Sequence, residues 1–395
     1  MNAALISFFF LIFRIMKPKH VHIVAFNLPY PPNYGGIIDV FYKLKALKEA
    51  GIAPILHAFQ YGRDISTDLH EVCQAVNTYP RKTGFQSQLS KKPYIVQSRR
   101  SSKLLNNLLE DDAPVLFEGI HSTYHLQEVS SVKKVVVRTH NVEHAYYHHL
   151  KKSEKTLINK LYYHLEEKKL RKYEHILNNI PIAAISKSDA DYFSQYGETM
   201  WIPPFHPNSR FKPKTGMGKY LLYQGNLSVA ENLKSIQFLL DNILPFISTH
   251  TIIAGKNPPH TLKEKTKRFS HVSLVADPSE EHMQNLIQDA HIHLLPTFQP
   301  TGIKLKLLQA LFNGRHCIVN PTMLNGTELD KLCIVCEEPE EYINSINNYM
   351  QIPFGEKEMS MRNELLSKNY SNTKNIEKLI HLLFNSSRNN KRISE

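Results

Sequence analysis

LLPTFQPTGIKLKLLQALFNGRHCIVN, residues 294–320, decides the fold. An apolar run ends at Pro296, a polar loop carries Gly302, and LKLLQALF then repeats apolar residues at helical spacing. A second apolar run, His316–Val319, follows Gly314 almost at once. Strand, crossover helix, strand is a βαβ unit, and such units build parallel sheets. The pattern predicts strands at His291–Leu295 and His316–Val319 and a helix over Gly302–Phe312.

The same alternation runs outward in both directions. Downstream it predicts a strand at Leu332–Val335 and helices at Glu337–Met350 and Ser371–Phe384. Upstream it predicts strands at Tyr220–Gln224, Thr251–Ala254 and Val272–Val275, with helices Ala230–Leu240, Thr261–Arg268 and Glu280–Gln288 between them. Further upstream the strands are His20–Phe26, Ala53–Phe59, Pro114–Glu118, Lys134–Thr139, Ile180–Ile185 and Met200–Pro203. The helices there are Gly36–Ala50, Ser101–Leu109, Ser153–Leu177 and Lys187–Tyr196. The alternation lapses once, in WIPPFHPNSRFKPKTGMGK (residues 201–219), where four Pro and two Gly break regular structure. The expectation is an α/β protein of two Rossmann-like domains facing across a cleft: 16–205, then 206–370, then a C-terminal helix and tail at 371–395. Residues 1–15 read as a leader or a mis-assigned start, with Met16 beginning the folded chain; an interfacial anchor is the competing reading. The apolar run Ala3–Phe13 is too short to span a bilayer, which takes about 20 apolar residues.

Composition excludes several classes. Of 395 residues, 42% are hydrophobic and 15 are Gly, so neither a disordered nor a collagen-like chain fits. Four Cys exclude a disulfide scaffold and suit a reducing compartment. The 48 Lys+Arg against 36 Asp+Glu leave a formal charge of +12, which favours phosphorylated ligands or an anionic surface. A nucleic-acid partner is not expected, because no binding motif accompanies the charge. The basic segment from Lys151 to Lys172 interleaves Leu157, Leu161, Leu165 and Leu170 and reads as one amphipathic helix, with anionic lipid as its sharper partner. His144, His148 and His149 close no zinc set, and Cys333 and Cys336 of LCIVC point to opposite faces of a strand, so no metal is expected.

The loops after the strands carry the chemistry. In FNLPYPPNYGGIIDVF, Gly35 and Gly36 open a helix whose free amides suit a phosphate. The matching turn of the second half, YQGNLSVAENL, places Gly225 and Asn226 after a strand and Asn232 in the next helix. IAGKNP and VADPSEE place Gly255, Lys256 and Asp277 at two further strand ends. Thr301, Gly302 and Ile303 stand at the start of the predicted helix, with Gln309 about two turns along on the same side. Lys304 and Lys306 put positive charge where it opposes the helix dipole, which points to an anion to be neutralised.

Taken in order, PYPPNYGGIIDVFYKLKALKEAG, FEGIHST, RTHNVEH, AISKSD, GNLSVAENL, IAGKNP and TGIKLKLLQALFNG resemble family 4 glycosyltransferases, group 1 type, of the GT-B fold. The resemblance covers nearly the whole chain from Met16 and is similar to bacterial members that build surface polysaccharides and glycolipids, including lipopolysaccharide. It implies a nucleotide-diphosphate sugar bound by the second domain and a glycan or lipid-linked acceptor on the first. It also implies retention of configuration and no cofactor or metal. A cytoplasmic protein, peripheral at the inner membrane face, is implied as well. Position by position, it implies His140 and Glu118 as catalytic residues, with His121, Asn141 and Glu143 on the acceptor side. Gly35, Gly36, Gly225, Asn226, Asn232, Gly255, Lys256, Asp277, Thr301, Gly302, Ile303, Lys304 and Gln309 would bind the donor. The family's Glu-x7-Glu pair stands here as Thr301 and Gln309, and the Arg and Lys usual after the first donor-domain strand stand as Asn226 and Asn232. Lys304 or Lys306 is the expected substitute. A non-catalytic sugar-nucleotide or glycan-binding protein on the same fold is the alternative.

Overall fold

A computed structural model describes residues 19–208, 211–302 and 304–385. The expected leader at 1–15, Ile303 and most of the tail lie outside these residues. The chain divides into two units, unit 1 from residues 1–205 with 372–395 and unit 2 from 206–371.

Unit 1 holds strands β1 (His20–Ala25), β2 (Ala53–Gln60), β3 (Ala75–Pro80), β4 (Val115–Glu118), β5 (Val135–Thr139), β6 (Ile182–Ala184) and β7 (Thr199–Trp201). They form one parallel sheet in the order β3-β2-β1-β4-β5-β6-β7. Its main helices are α1 (Gly35–Glu49), α2 (Ser102–Leu108), α3 (Glu143–Ser153), α4 (Leu157–Tyr173) and α5 (Lys187–Phe193). Both faces of the sheet are covered. Val21, Ile23, Leu56 and Val136 pack against Val40, Leu44 and Leu47 of α1, while Val24, Phe117, Val135 and Val137 form a second core with Leu104, Leu126 and Phe193. That double burial is why the strands read as apolar runs.

Unit 2 holds α6 (Ala230–Asn242), α7 (His260–Thr266), α8 (Glu280–Asp289), α9 (Leu305–Asn313), α10 (Pro339–Tyr349) and α11 (Glu356–Asn369). Its strands are β8 (Leu221–Asn226), β9 (Thr251–Lys256), β10 (Val272–Ala276), β11 (Ile292–Leu294), β12 (His316–Val319) and β13 (Ile334–Val335), in the parallel order β10-β9-β8-β11-β12-β13. A last helix, α12 (Asn372–Phe384), returns to unit 1, where Ile376, Leu379, Leu382 and Leu383 join the α1 core. In each sheet the strand order reverses beside its first strand, and open α/β sheets bind ligands at the carboxyl ends flanking such a reversal.

The structure corrects several expectations. The predicted helix over Ser153–Leu177 is α4, which begins only at Leu157, followed by a 3-10 turn at Glu174–Leu177; it packs against α3, a helix the sequence did not predict. Extended backbone at Glu154 (φ −74, ψ 145) and Thr156 (φ −84, ψ 136) separates the two, and Glu154 Oε1 accepts from the backbone N–H of Lys155 (2.7 Å) and Thr156 (3.0 Å) in that turn. The Lys151–Lys172 segment therefore spans the last three residues of α3, a turn and nearly all of α4, and α3 with α4 form a helical hairpin. Gly302 does not open α9; it sits in the loop at φ +89, and the helix begins at Leu305. Thr301 is likewise outside the helix, so the two-turn relation to Gln309 does not hold. β3, α3 and α11 were absent from the expected set. Cys333 and Cys336 flank a two-residue strand and join different cores, and both are free thiols. Among the described residues no helix is long and apolar enough to cross a membrane.

Candidate functional site

In unit 1, five charged or titratable side chains meet below the carboxyl ends of β4 and β5. Helix α1 presents Asp39 and Lys43 one turn apart on its buried face, and Lys43 Nζ donates to Asp39 Oδ2 at 2.9 Å. The same ammonium donates to Glu118 Oε1 at 2.6 Å, at the end of β4. Arg138, paired with Glu118 in the β4–β5 register, donates to Asp39 Oδ1 at 2.9 Å and to the carbonyls of Ile202 and Pro203. Asp39 Oδ1 also accepts the Phe205 amide at 2.8 Å. Burial alone would raise both carboxyls. Arg138 and Lys43 outweigh it at Asp39, and Lys43 with the His140 hydrogen bond outweighs it at Glu118, so both are held below the usual carboxylate range. Two carboxylates and two cations balance, as buried charge requires.

His140 follows β5 directly and is 6% exposed. Its Nε2 lies 2.9 Å from Glu118 Oε2. A carboxylate on Nε2 places the hydrogen there, so in the neutral ring Nδ1 is an acceptor. Nδ1 is buried and has no partner. Gly36 packs directly against it: a Cβ at that position would lie 3.4 Å from His140 Nδ1 and 2.9 Å from Phe26 Cζ. Gly36 and His140 are thus brought together at the start of α1, while Gly35 is its first residue.

The acceptor-side residues gather beside them. The Phe26 ring lies between His121 and His140, with centroids 5.4 and 5.5 Å away. His121 Nδ1, Thr139 Oγ1 and Asn141 Oδ1 are also buried without partners. Gly119, at φ +68, lets His121 fold back, since a Cβ there would lie 2.9 Å from its Nδ1. Glu143 opens α3 with Oε1 4.0 Å from His121 Nδ1, and burial pushes its carboxyl up to about 8. These four orphaned polar atoms near the carboxyl ends of β4 and β5 make the cluster a candidate ligand site, because buried groups of this kind are mostly satisfied.

The oxygens and nitrogen of Asp39, Glu118 and His140 lie within 4.8 Å of one another, as do those of His20, His22 and Asp111. Lys43 and Arg138 already sit on the first carboxylates and Lys133 Nζ is 2.9 Å from Asp111, so lysine and arginine side chains supply the positive charge in both groups.

Unit 2 forms its own edge. Gly225 pairs with Gly255 and Asn226 with Lys256 across β8 and β9. A Cβ on Gly255 would come within 1.7 Å of the Gly225 carbonyl oxygen, so close strand approach demands glycine there. Asn232 Nδ2 donates to the Asn226 carbonyl at 2.9 Å and steadies the turn. Lys306, from the first turn of α9, donates to Asn232 Oδ1 at 3.0 Å and lies over the Tyr223 ring. Burial, aided by Lys304, pushes the Lys306 ammonium down to about 7. Gln224 Oε1 is buried nearby without a partner, while its Nε2 donates to the Lys306 carbonyl. Asp277 accepts from the Asn257 amide at 2.7 Å and donates its own to Gly255. Thr301 Oγ1 accepts from Gln299, and Lys304 Nζ donates to the carbonyls of Gln299 and Thr301, tying that loop together. Gln309 lies within α9 and is half-buried.

The sequence reading passed over Asp39, Lys43, Arg138, Gln224 and Tyr223. The signal was present for the first two: opposite charges four apart among Ile37, Val40, Leu44 and Leu47, on a stripe that must be buried.

Residues 218–351 match the family described as "Glycosyl transferases group 1". An "Uncharacterized 44.6 kDa protein in cps region" of Klebsiella pneumoniae is 24% identical, over 89% of this chain and 96% of that protein. Among solved structures, an Anabaena Alr3699/HepE complex with UDP and glucose aligns at TM-score 0.61 and 11% identity, over 92% of this chain and 99% of that one. WaaG, a glycosyltransferase involved in lipopolysaccharide biosynthesis, aligns at TM-score 0.60 and 12% identity, over 93% of this chain and 100% of that one.

Proposed function

We propose that this chain, a group 1 glycosyltransferase of the GT-B fold, moves a sugar from a nucleotide-diphosphate donor to a hydroxyl acceptor in surface polysaccharide or glycolipid synthesis, with retention of configuration. Lys306 carries the reading. It is a half-buried ammonium beside Asn232 and Gly225, inside the stretch that matches the family, and it stands near the two asparagines that replace the usual cations. Lys306 and the amides around Gly225 take the diphosphate charge in place of a metal. Unit 1 holds the acceptor, and His140 Nδ1 accepts a hydrogen bond from a sugar hydroxyl. Incubation with a panel of nucleotide sugars and a membrane glycolipid extract tests this. Nucleoside diphosphate should appear with one donor, unchanged by EDTA, and the product anomer should match the donor by NMR. Saturable donor binding with no release across the panel would favour the non-catalytic alternative that Thr301 and Gln309 raise.

Lys306 makes donor affinity depend on pH. Its ammonium is charged below about 7 and neutral above, and only the charged form attracts the diphosphate. A nucleotide sugar has no titrating phosphate in this range, so its affinity should fall roughly tenfold as pH rises from 6 to 8. Lys306→Met should bind weakly at both ends, with a flat profile. A wild-type profile as flat as the variant's would remove Lys306 from the site.

The α3–α4 hairpin gives unit 1 a lipid-facing surface in this reading. Leu157 and Ile158 are 82% and 83% exposed, and Leu161 and Leu165 are exposed too. At about 100° per residue they form one stripe, opposite the face that buries Glu166, Glu167 and Leu170. Exposed Lys152, Lys155, Lys168, Arg171 and Lys172 surround it, which suits an anionic bilayer. Anionic vesicles should sediment the protein in low salt, and a Leu157→Asp, Ile158→Asp double variant should lose roughly tenfold or more of that binding. Equal sedimentation of wild type and variant would exclude the hairpin as the docking surface.

A further inference from the structure

Arg99 is 5% exposed and has no carboxylate within ion-pair distance among the described residues. Its Nε donates to the Phe26 carbonyl at 2.9 Å and its Nη1 to the Ile95 carbonyl, while no hydrogen bond leaves Nη2. A buried guanidinium without an anion is costly, and unit 1 shows the paired alternative in Arg138 on Asp39. The carboxyl in electrostatic reach, Glu143, is pushed by burial up to about 8 and so keeps its proton at neutral pH, while Arg81 adds positive charge. Arg81 lies over the rings of Tyr61 and Tyr94 (4.7 and 5.4 Å), hydrogen-bonded to Ser98 and likewise without a carboxylate. Burial holds His121 well below its usual range, and Arg99, His140 and Arg81 push it lower still. Phe26 ties the group together: its carbonyl holds Arg99, and its ring lies between His121 and His140, each with a buried, unpartnered Nδ1.

We propose that unit 1 recognises its acceptor as an anion, whose phosphoryl or carboxylate group docks on the Arg99 fork with Arg81 and His121 beside it, across the Phe26 ring from His140. The proposal rests on the transferase reading for the word acceptor; the oxyanion site itself stands on Arg99 and Arg81, two guanidinium groups without a carboxylate partner among the described residues. A fork matches either oxyanion in a two-point hydrogen bond, and ligand charge would replace the missing carboxylate. The acceptor sugar or lipid would then carry its charge one ring-width from the hydroxyl that reacts.

The test titrates the full-length protein with methyl phosphate and, separately, with glucuronate, following each by calorimetry. One or both should bind, and the arm that binds identifies the anion. Arg99→Gln should weaken that binding roughly tenfold or more, Arg99→Lys less, and Arg81→Gln severalfold. Lys306→Met should leave it unchanged, since that residue belongs to unit 2. Arg81→Gln, at a half-buried side chain, keeps the test valid should Arg99→Gln fail to fold. No binding of either anion, or equal binding by wild type, Arg99→Gln and Arg81→Gln, would overturn the proposal. Nucleotide-sugar binding measured on the same samples separates the two ideas: its loss in wild type strikes the transferase reading and leaves the anion site to be judged by its own titration.

Discussion

Asp39→Ala should destabilise unit 1 by about 3–5 kcal/mol, because it leaves Arg138 and Lys43 buried with half their counter-charge gone. The carboxylate does three jobs at once: it accepts from Arg138, from Lys43 and from the Phe205 amide. No neighbour is placed to take over, since Glu118 is already engaged by Lys43 and His140. The effect belongs to unit 1, so hydrogen exchange of α1 and β5 amides is a better reading than one global midpoint in a two-unit chain. Exchange there should accelerate roughly a hundredfold or more, with unit 2 unaffected. The sign with pH follows from the depressed carboxyl. Its stabilisation is complete well above the unfolded value near 4 and is lost only as pH falls below that, so the Asp39 contribution is insensitive to pH from 5 to 8. Unchanged exchange in Asp39→Ala would mean that the five-residue network is not what holds β5 against α1.

His140→Ala should lower turnover roughly 10²- to 10⁴-fold, the range for removing one positioned polar group from a reacting centre. The fold should survive, because His140 lies just outside β5 and Glu118 keeps its bond to Lys43. Glu118→Gln is the informative partner. It keeps a hydrogen-bond acceptor opposite Nε2 but removes the charge that fixes the tautomer, so it should cost less than His140→Ala in turnover and more in stability. Steady-state rates at saturating donor separate these effects from binding. Transfer undiminished in His140→Ala would remove His140 from the mechanism.

The parallel sheets were legible because strands such as VHIVA and VVVRT are buried on both faces and are dominated by Val, Ile and Ala. β3 was not, because AVNTYP lies at the sheet edge, is only half-buried and keeps polar residues. The break between α3 and α4 carries neither Gly nor Pro; extended backbone at Glu154 and Thr156 makes it, with Glu154 bonded to the turn's own amides, which periodicity does not reveal. Glu118, His121 and His140 could be singled out from short motifs, and the structure brings them to one edge. Arg138 could not, since its partner lies 99 residues away and only the β4–β5 register and α1 packing bring them together. The same limit hid Gln224 beside Lys306, 82 residues apart. Lys304 has bonds that its position near the helix start does not reveal: its Nζ donates to the carbonyls of Gln299 and Thr301 in its own loop.

A nucleotide-sugar binding screen by titration calorimetry tests the central claim, that unit 2 grips a diphosphate at the β8 turn and Lys306, most directly. The account predicts saturable binding of at least one sugar nucleotide, displaced by its nucleoside diphosphate but not by the nucleoside, and weakened roughly tenfold in Lys306→Met. No binding across the panel, or displacement by the bare nucleoside as effective as by the diphosphate, would contradict it.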